Sequence, residues 1–221
     1  MRFTDTQRAA IAEFVGTAFL VCGVVGSGIM GERLAAGNGA LALLANSLAT
    51  GALLLTLIFT FAPISGAHFN PVVTLTAAIE GGFPWRRLLP YAIAQITGAL
   101  SGVAGANLMF DLPAFELATR SRSGLGQLLG ETIATFGLIT VIHRTGRKAT
   151  VVPMTVAAYI TAAYWFTSST SFANPAVTIA RGLTNTFTGI RPAVVPAFIG
   201  AQLIGGILAT LLFTKILRDD Y

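Results

Sequence analysis

Asn70 and Asn174 are each followed by Pro, and both pairs sit in stretches that lack Asp, Glu, Lys and Arg. An Asn side-chain oxygen accepts from backbone N–H groups of a first helical turn, and Pro is favoured at the first helical position, so each pair marks a helix start. The carboxamide also carries N–H donors, and a helix N-terminus holds roughly half a positive charge. Two such ends facing one another would offer hydrogen bonds to a small neutral molecule while disfavouring cations and protons.

Other residues suggest chemistry with less support. Glu13 and Glu131 are the carboxylates inside apolar segments, which by default raises proton coupling. Ser65 and His68 are near in sequence, but no positioned acid completes a nucleophile and base, so an intramembrane enzyme is disfavoured. His68 reads as a loop-packing residue and His143, amid Arg144, Arg147 and Lys148, as a solvated one. The 26–31 stretch GSGIMG fits a dinucleotide-type spacing without its strand and helix context. Cys22 stands alone, which leaves no intrachain disulfide and no zinc-type spacing. No cofactor is implied.

The elements that must position these residues are membrane spans. The 221 residues are 54% hydrophobic and 10% charged, with a mean hydropathy of +0.74, and the runs 14–31, 34–79, 88–110, 149–180 and 192–214 carry no charge. A bilayer crossing needs roughly 20 apolar residues. Full spans are expected near 10–31, 40–62, 85–107, 125–143, 150–167 and 192–216. The N-terminal run contains Glu13 and shows no clear small-residue cleavage site, so it reads as a mature helix. Basic residues lie singly or in pairs between spans, with no stripe to bind nucleic acid; the lipid bilayer is the expected surrounding.

Two segments are left over: NPVVTLTAAI at 70–79 and NPAVTIARGL at 174–183. Ten helical residues cover roughly 15 Å, half the hydrocarbon thickness, so both are half-helices starting at their Asn. Non-helical backbone at that depth must be buried by protein or line a cavity, which assigns PISGAHF and TSSTSFA, just ahead of each Asn, to a cavity wall. AEFVGTAFL at 12–20 resembles GETIATFGL at 130–138, and AQITGAL at 94–100 resembles AQLIGGIL at 201–208, pairing Glu13 with Glu131 and Gln95 with Gln202. The expectation is an all-α membrane protein of six spans plus two re-entrant half-helices, built from inverted three-span repeats over 1–110 and 111–221. Gly98 and Gly102 suit close helix crossing.

With both termini cytoplasmic, Arg2, Arg8, Arg86, Arg87, Arg144, Arg147, Lys148, Lys215 and Arg218 lie inside, and Arg33, Arg120, Arg122, Arg181 and Arg191 outside. That bias favours termini inside.

Over essentially its whole length the sequence resembles the major intrinsic protein family of aquaporins and aquaglyceroporins. The likeness rests on AEFVGT, SGAHFNPVVT, the Gln-bearing third and sixth spans, and the second motif NPAVT. The first motif departs from the usual form in having Val72 where Ala is typical. The resemblance implies a passive channel with Asn70 and Asn174 at the pore centre, and Glu13 and Glu131 holding the half-helix approaches by hydrogen bonds. It also implies a homotetramer in a bacterial inner membrane.

Four filter positions carry over from the family as Thr50, Ala162, Ser171 and Val177, of which Val177 stands where water-selective members carry Arg. All four are small or uncharged, so a wide aperture is expected, resembling that of arsenic-resistance-associated aquaglyceroporins. The implied solutes are arsenite as neutral As(OH)3, glycerol-like polyols and some water. A water- or ammonia-type aquaporin and an ion-coupled secondary transporter are the alternatives. Arg181, one helical turn beyond Val177, reads either as a snorkelling or capping residue or as a charge in the outer vestibule.

Overall fold

The computed structural model describes residues 3–145 and 150–217; of the topology charges, Arg2, Arg147, Lys148 and Arg218 lie outside the described residues. The described chain folds into helices α1 (Asp5–Leu34), α2 (Gly39–Ser65), α3 (Pro71–Ile79), α4 (Leu88–Met109), α5 (Leu125–Thr145), α6 (Val152–Phe166), α7 (Pro175–Arg181) and α8 (Val195–Leu211). Helices α3 and α7 are the short pair and the other six are the spans. Five spans are long and apolar enough to cross a membrane on length and composition; α6, with 15 residues, covers about 22 Å.

Boundaries follow local chemistry. Helix α1 begins five residues ahead of the expected start because Thr4 caps it, with Gln7 returning a bond to the Thr4 N–H. Asn38 caps α2 through Ala40 and Leu41 N–H, and Gly66 ends it in the left-handed conformation at φ 89°. The sixth span resolves into a short 3-10 turn at Pro192–Val194, α8, and a π-helical end at Leu212–Ile216. Helix α7 stops at Arg181, short of the expected 183, because the Arg181 carbonyl accepts from Ile190 N–H at 3.1 Å.

The two halves pack in the same way. Helix α1 lies against α2 and α4, as α5 lies against α6 and α8, while α3 packs on α4 and α8 and α7 on the same pair. The tightest crossings repeat as well. A methyl group on Gly98 would sit 2.3 Å from the Phe14 carbonyl oxygen, and one on Gly205 2.3 Å from that of Thr132. Phe14 and Thr132 directly follow Glu13 and Glu131, and each glycine lies three residues after Gln95 or Gln202. The absence of Cβ therefore sets both interhelical distances.

Candidate functional site

Asn70 and Asn174 meet through reciprocal bonds. Each caps its own helix: Asn70 Oδ1 accepts from Val72 N–H at 2.9 Å, and Asn174 Oδ1 from Ala176 and Val177 N–H at 3.0 and 3.3 Å. Each Nδ2 reaches into the other half: Asn70 donates to the Ala173 carbonyl at 2.7 Å, and Asn174 to the Phe69 carbonyl at 2.8 Å. Those carbonyls belong to the residues just ahead of the opposite Asn. Since a carboxamide nitrogen carries two hydrogens, this leaves one N–H of each Asn unspent.

The approaches to the half-helices are duplicated down to their backbone angles. Ala67 and Phe69 have φ of 52° and 50°, and Ser171 and Ala173 have 49° and 48°. Left-handed conformations cost a non-glycine residue roughly 1–2 kcal/mol each, and two buried carboxylates offset that cost. Glu13 accepts from Ser65 Oγ, the His68 and Phe69 N–H groups and Gln95 Nε2 at 2.6–2.9 Å. Glu131 accepts from Phe172 and Ala173 N–H and from Gln202 Nε2 at 2.6–2.9 Å. The two Gln amides also donate to Thr74 and Thr178 hydroxyls at 3.0 and 2.8 Å, and those hydroxyls donate to the Asn70 and Asn174 carbonyls. Each carboxylate thus fixes a cap through a chain of named bonds, and both are fully buried.

Both Asn residues line one elongated cavity of about 320 Å³, which reaches Arg181 at one end and Glu80 and His143 at the other. Its long wall is apolar, supplied by Leu54 and Ile58 of α2 and by Val156 and Ile160 of α6. Thr50, Ser171 and Val177 line it too. The Ser171 hydroxyl is buried without a protein partner, and so is free to bond a molecule in the cavity. Val72, only 1% exposed, fills space that glycine leaves: a Cβ on Gly206 would lie 2.5 Å from Val72 Cγ1.

Ala162, expected among the filter positions, does not line this cavity. It is exposed and outside the cavity wall, which α6 forms with Val152, Val156, Ile160 and Tyr164. Those residues recur every four positions along one helix face, whereas Ala162 is two residues from both Ile160 and Tyr164 and points away. Tyr164 takes the place expected of Ala162, and its hydroxyl lies 3.2 Å from Thr50 Oγ1. Val177 and the Tyr164 ring thus both line the cavity, and Phe172, packed under Arg181, lines it too.

Arg181 is not at the surface: it is 2% exposed, its Nε donates to the Thr188 carbonyl at 2.5 Å, and its guanidinium lies 3.3 Å above the centre of the Phe172 ring. His143 is half-buried rather than solvated. It pairs with Glu80 at 3.3 Å and stacks on Phe213. His68 is held by its Nδ1 contact to Thr74 Oγ1 at 3.1 Å and packs on Phe83 and Tyr91. The sequence offered no signal for the Glu80 pairing, since 63 positions separate the partners.

Six spans enclosing an apolar cavity, crossed at its middle by two half-helix N-termini, define a multi-pass membrane channel. The chain belongs to the major intrinsic protein family, whose pattern matches residues 1–170. It is 50% identical over 221 residues to aquaglyceroporin AqpS of Rhizobium meliloti (strain 1021), covering 99% of this chain and 94% of that protein. It is 37% identical to aquaporin NIP1-4 of Oryza sativa subsp. japonica over 110 residues, 50% of this chain and 38% of that one. In fold it is similar to the aquaglyceroporin from Plasmodium falciparum, with a TM-score of 0.77, 19% identity and coverage of 96% and 97% of the two chains.

Proposed function

We propose that this chain is a passive channel for small neutral solutes, carrying arsenite as As(OH)3 and glycerol-like polyols, with some water. The observation that carries the reading is Val177, an apolar side chain on the cavity wall one turn inside the only Arg on that half-helix. With Thr50 and Ser171 it makes a filter without fixed charge, which accepts solutes that exchange water contacts for scattered hydroxyls. The 50% identity to an aquaglyceroporin over 94% of its length supports the same reading. Asn70 and Asn174 form the pore centre, where the remaining amide N–H groups and two helix N-termini bond a neutral solute and repel cations. Glu13 and Glu131 act as supports for the two approaches, bonded to backbone N–H groups, to Gln95 and Gln202 and, for Glu13, to the Ser65 hydroxyl.

In this reading residues 1–110 and 111–221 are inverted repeats, the chain sits in a bacterial inner membrane with both termini cytoplasmic, and it works as a homotetramer. Stopped-flow light scattering on proteoliposomes, with water, glycerol and arsenite run in parallel, tests it. Non-saturating glycerol and arsenite flux well above that of protein-free liposomes, insensitive to an imposed proton gradient, is expected. Flux that saturates and follows the proton gradient would instead assign an ion-coupled transporter.

A further inference from the structure

We propose that the outer mouth carries a binding site for a small tetrahedral oxyanion of the phosphate type, built by the guanidinium groups of Arg120, Arg122 and Arg181. All three line one polar-edged cavity of about 300 Å³, together with Ser121, Gln127 and Thr170. Arg181 lines the pore as well, so its side chain borders both spaces. The convergence is built by backbone. Glu116 and Ala118 N–H donate to the Leu183 and Gly182 carbonyls at 3.0 Å, and Arg191 N–H donates to the Arg120 carbonyl at 2.9 Å, laying the outer loop along the segment that follows α7.

The three cations have neutral partners. Arg122 donates through Nε to the Gly189 carbonyl at 2.9 Å and through its terminal nitrogens to Ser169, Thr170 and Phe187 oxygens at 3.3 Å. Arg120 donates to the Phe187 carbonyl. Arg122 and Arg181 lie over the same ring, with guanidinium carbons 5.2 and 3.3 Å from the centre of Phe172. The terminal nitrogens of Arg181 have no protein acceptor among the described residues, although the side chain is 2% exposed. Glu80 pairs with His143, at the other end of the pore. Glu116 is engaged by Asn185, and Glu131 by backbone and Gln202.

Burial and the neighbouring Arg120 charge push Arg122 down to about 10, so it stays charged near neutrality while three like charges share one cavity. Such an arrangement is offset best by an anion, and a guanidinium fork matches tetrahedral oxyanions two N–H groups at a time. The cavity exceeds the roughly 30 Å³ share of a single water several times over, which leaves room for the ion and part of its hydration. An anion there stands where the vestibule meets the pore and obstructs neutral solutes.

The test uses purified full-length protein in detergent with inorganic phosphate as the probe, read by 31P line broadening at constant ionic strength set with chloride. Wild type should broaden the signal saturably. Arg181→Met should weaken binding by about tenfold or more, and the exposed Arg120→Gln by less, the scale of losing charge-assisted hydrogen bonds. Absence of saturable broadening with wild type, equal broadening by both variants, or displacement by acetate as readily as by sulfate would overturn the proposal. A second arm places phosphate on both faces of proteoliposomes. Glycerol flux should fall in wild type and hold in Arg181→Met, and equal inhibition of both contradicts the site. Only this arm rests on the proposed solute; binding without any glycerol flux would retain the site and remove the solute reading.

Discussion

The Tyr164 hydroxyl lies 3.2 Å from Thr50 Oγ1, joining the packed second and fifth spans at the cavity wall. In the proposed filter this ring closes one side of an opening that Val177 leaves uncharged. Tyr164→Ala should therefore admit bulkier solutes, raising five-carbon polyol permeability relative to glycerol by roughly fivefold, about 1 kcal/mol of barrier. Tyr164→Phe keeps the ring and should leave that ratio nearly unchanged. Light-scattering recovery with the two polyols reads both.

The carboxylate supports should be costly to neutralise. Glu13→Gln replaces an acceptor of four bonds with a group whose amide N–H faces other N–H donors, and Glu131→Gln does so for three. Each should lose roughly 2–4 kcal/mol, with Glu13→Gln the larger. The thermal midpoint in detergent should fall by several degrees in both. Unchanged midpoints would argue that the approaches are held by packing alone.

Val72 and Gly206 are coupled sterically. Gly206→Ala places its methyl 2.5 Å from Val72 Cγ1 and should destabilise by about 1–3 kcal/mol. Adding Val72→Ala should recover about 1 kcal/mol or more of that loss, the coupling typical of residues in contact. Additive losses in the thermal unfolding of the four proteins of this cycle would show that the two sites do not touch.

Much of this architecture is legible in the residues themselves. Two Asn-Pro pairs too close to their neighbours for full spans announce half-helices, and the Glu and Gln spacings announce the repeat. Local signals fail where several elements converge. The face of α6 that meets the pore depends on how the helix is rotated against α2, so carrying filter positions over by spacing alone selected Ala162, two residues from Tyr164 on the opposite face. Arg120 and Arg122 read as outer-loop charges because nothing near them in sequence indicates Phe172 or Arg181. The pairing of 116–120 with 182–191 brings them beside Phe172 and Arg181. Val72, an unexplained departure as sequence, becomes intelligible once Gly206 lies opposite.

The proposed uncharged filter is tested most directly by placing a cation at Val177. Val177→Arg sets a guanidinium into the aperture one turn inside Arg181, and water, glycerol and arsenite permeabilities are measured by stopped flow, with proton leak followed by an internal dye. Glycerol and arsenite flux should fall by roughly tenfold or more, proton leak should fall, and water flux should be largely retained. Glycerol and arsenite flux and proton leak all indistinguishable from wild type would contradict the assignment of Val177 to the filter.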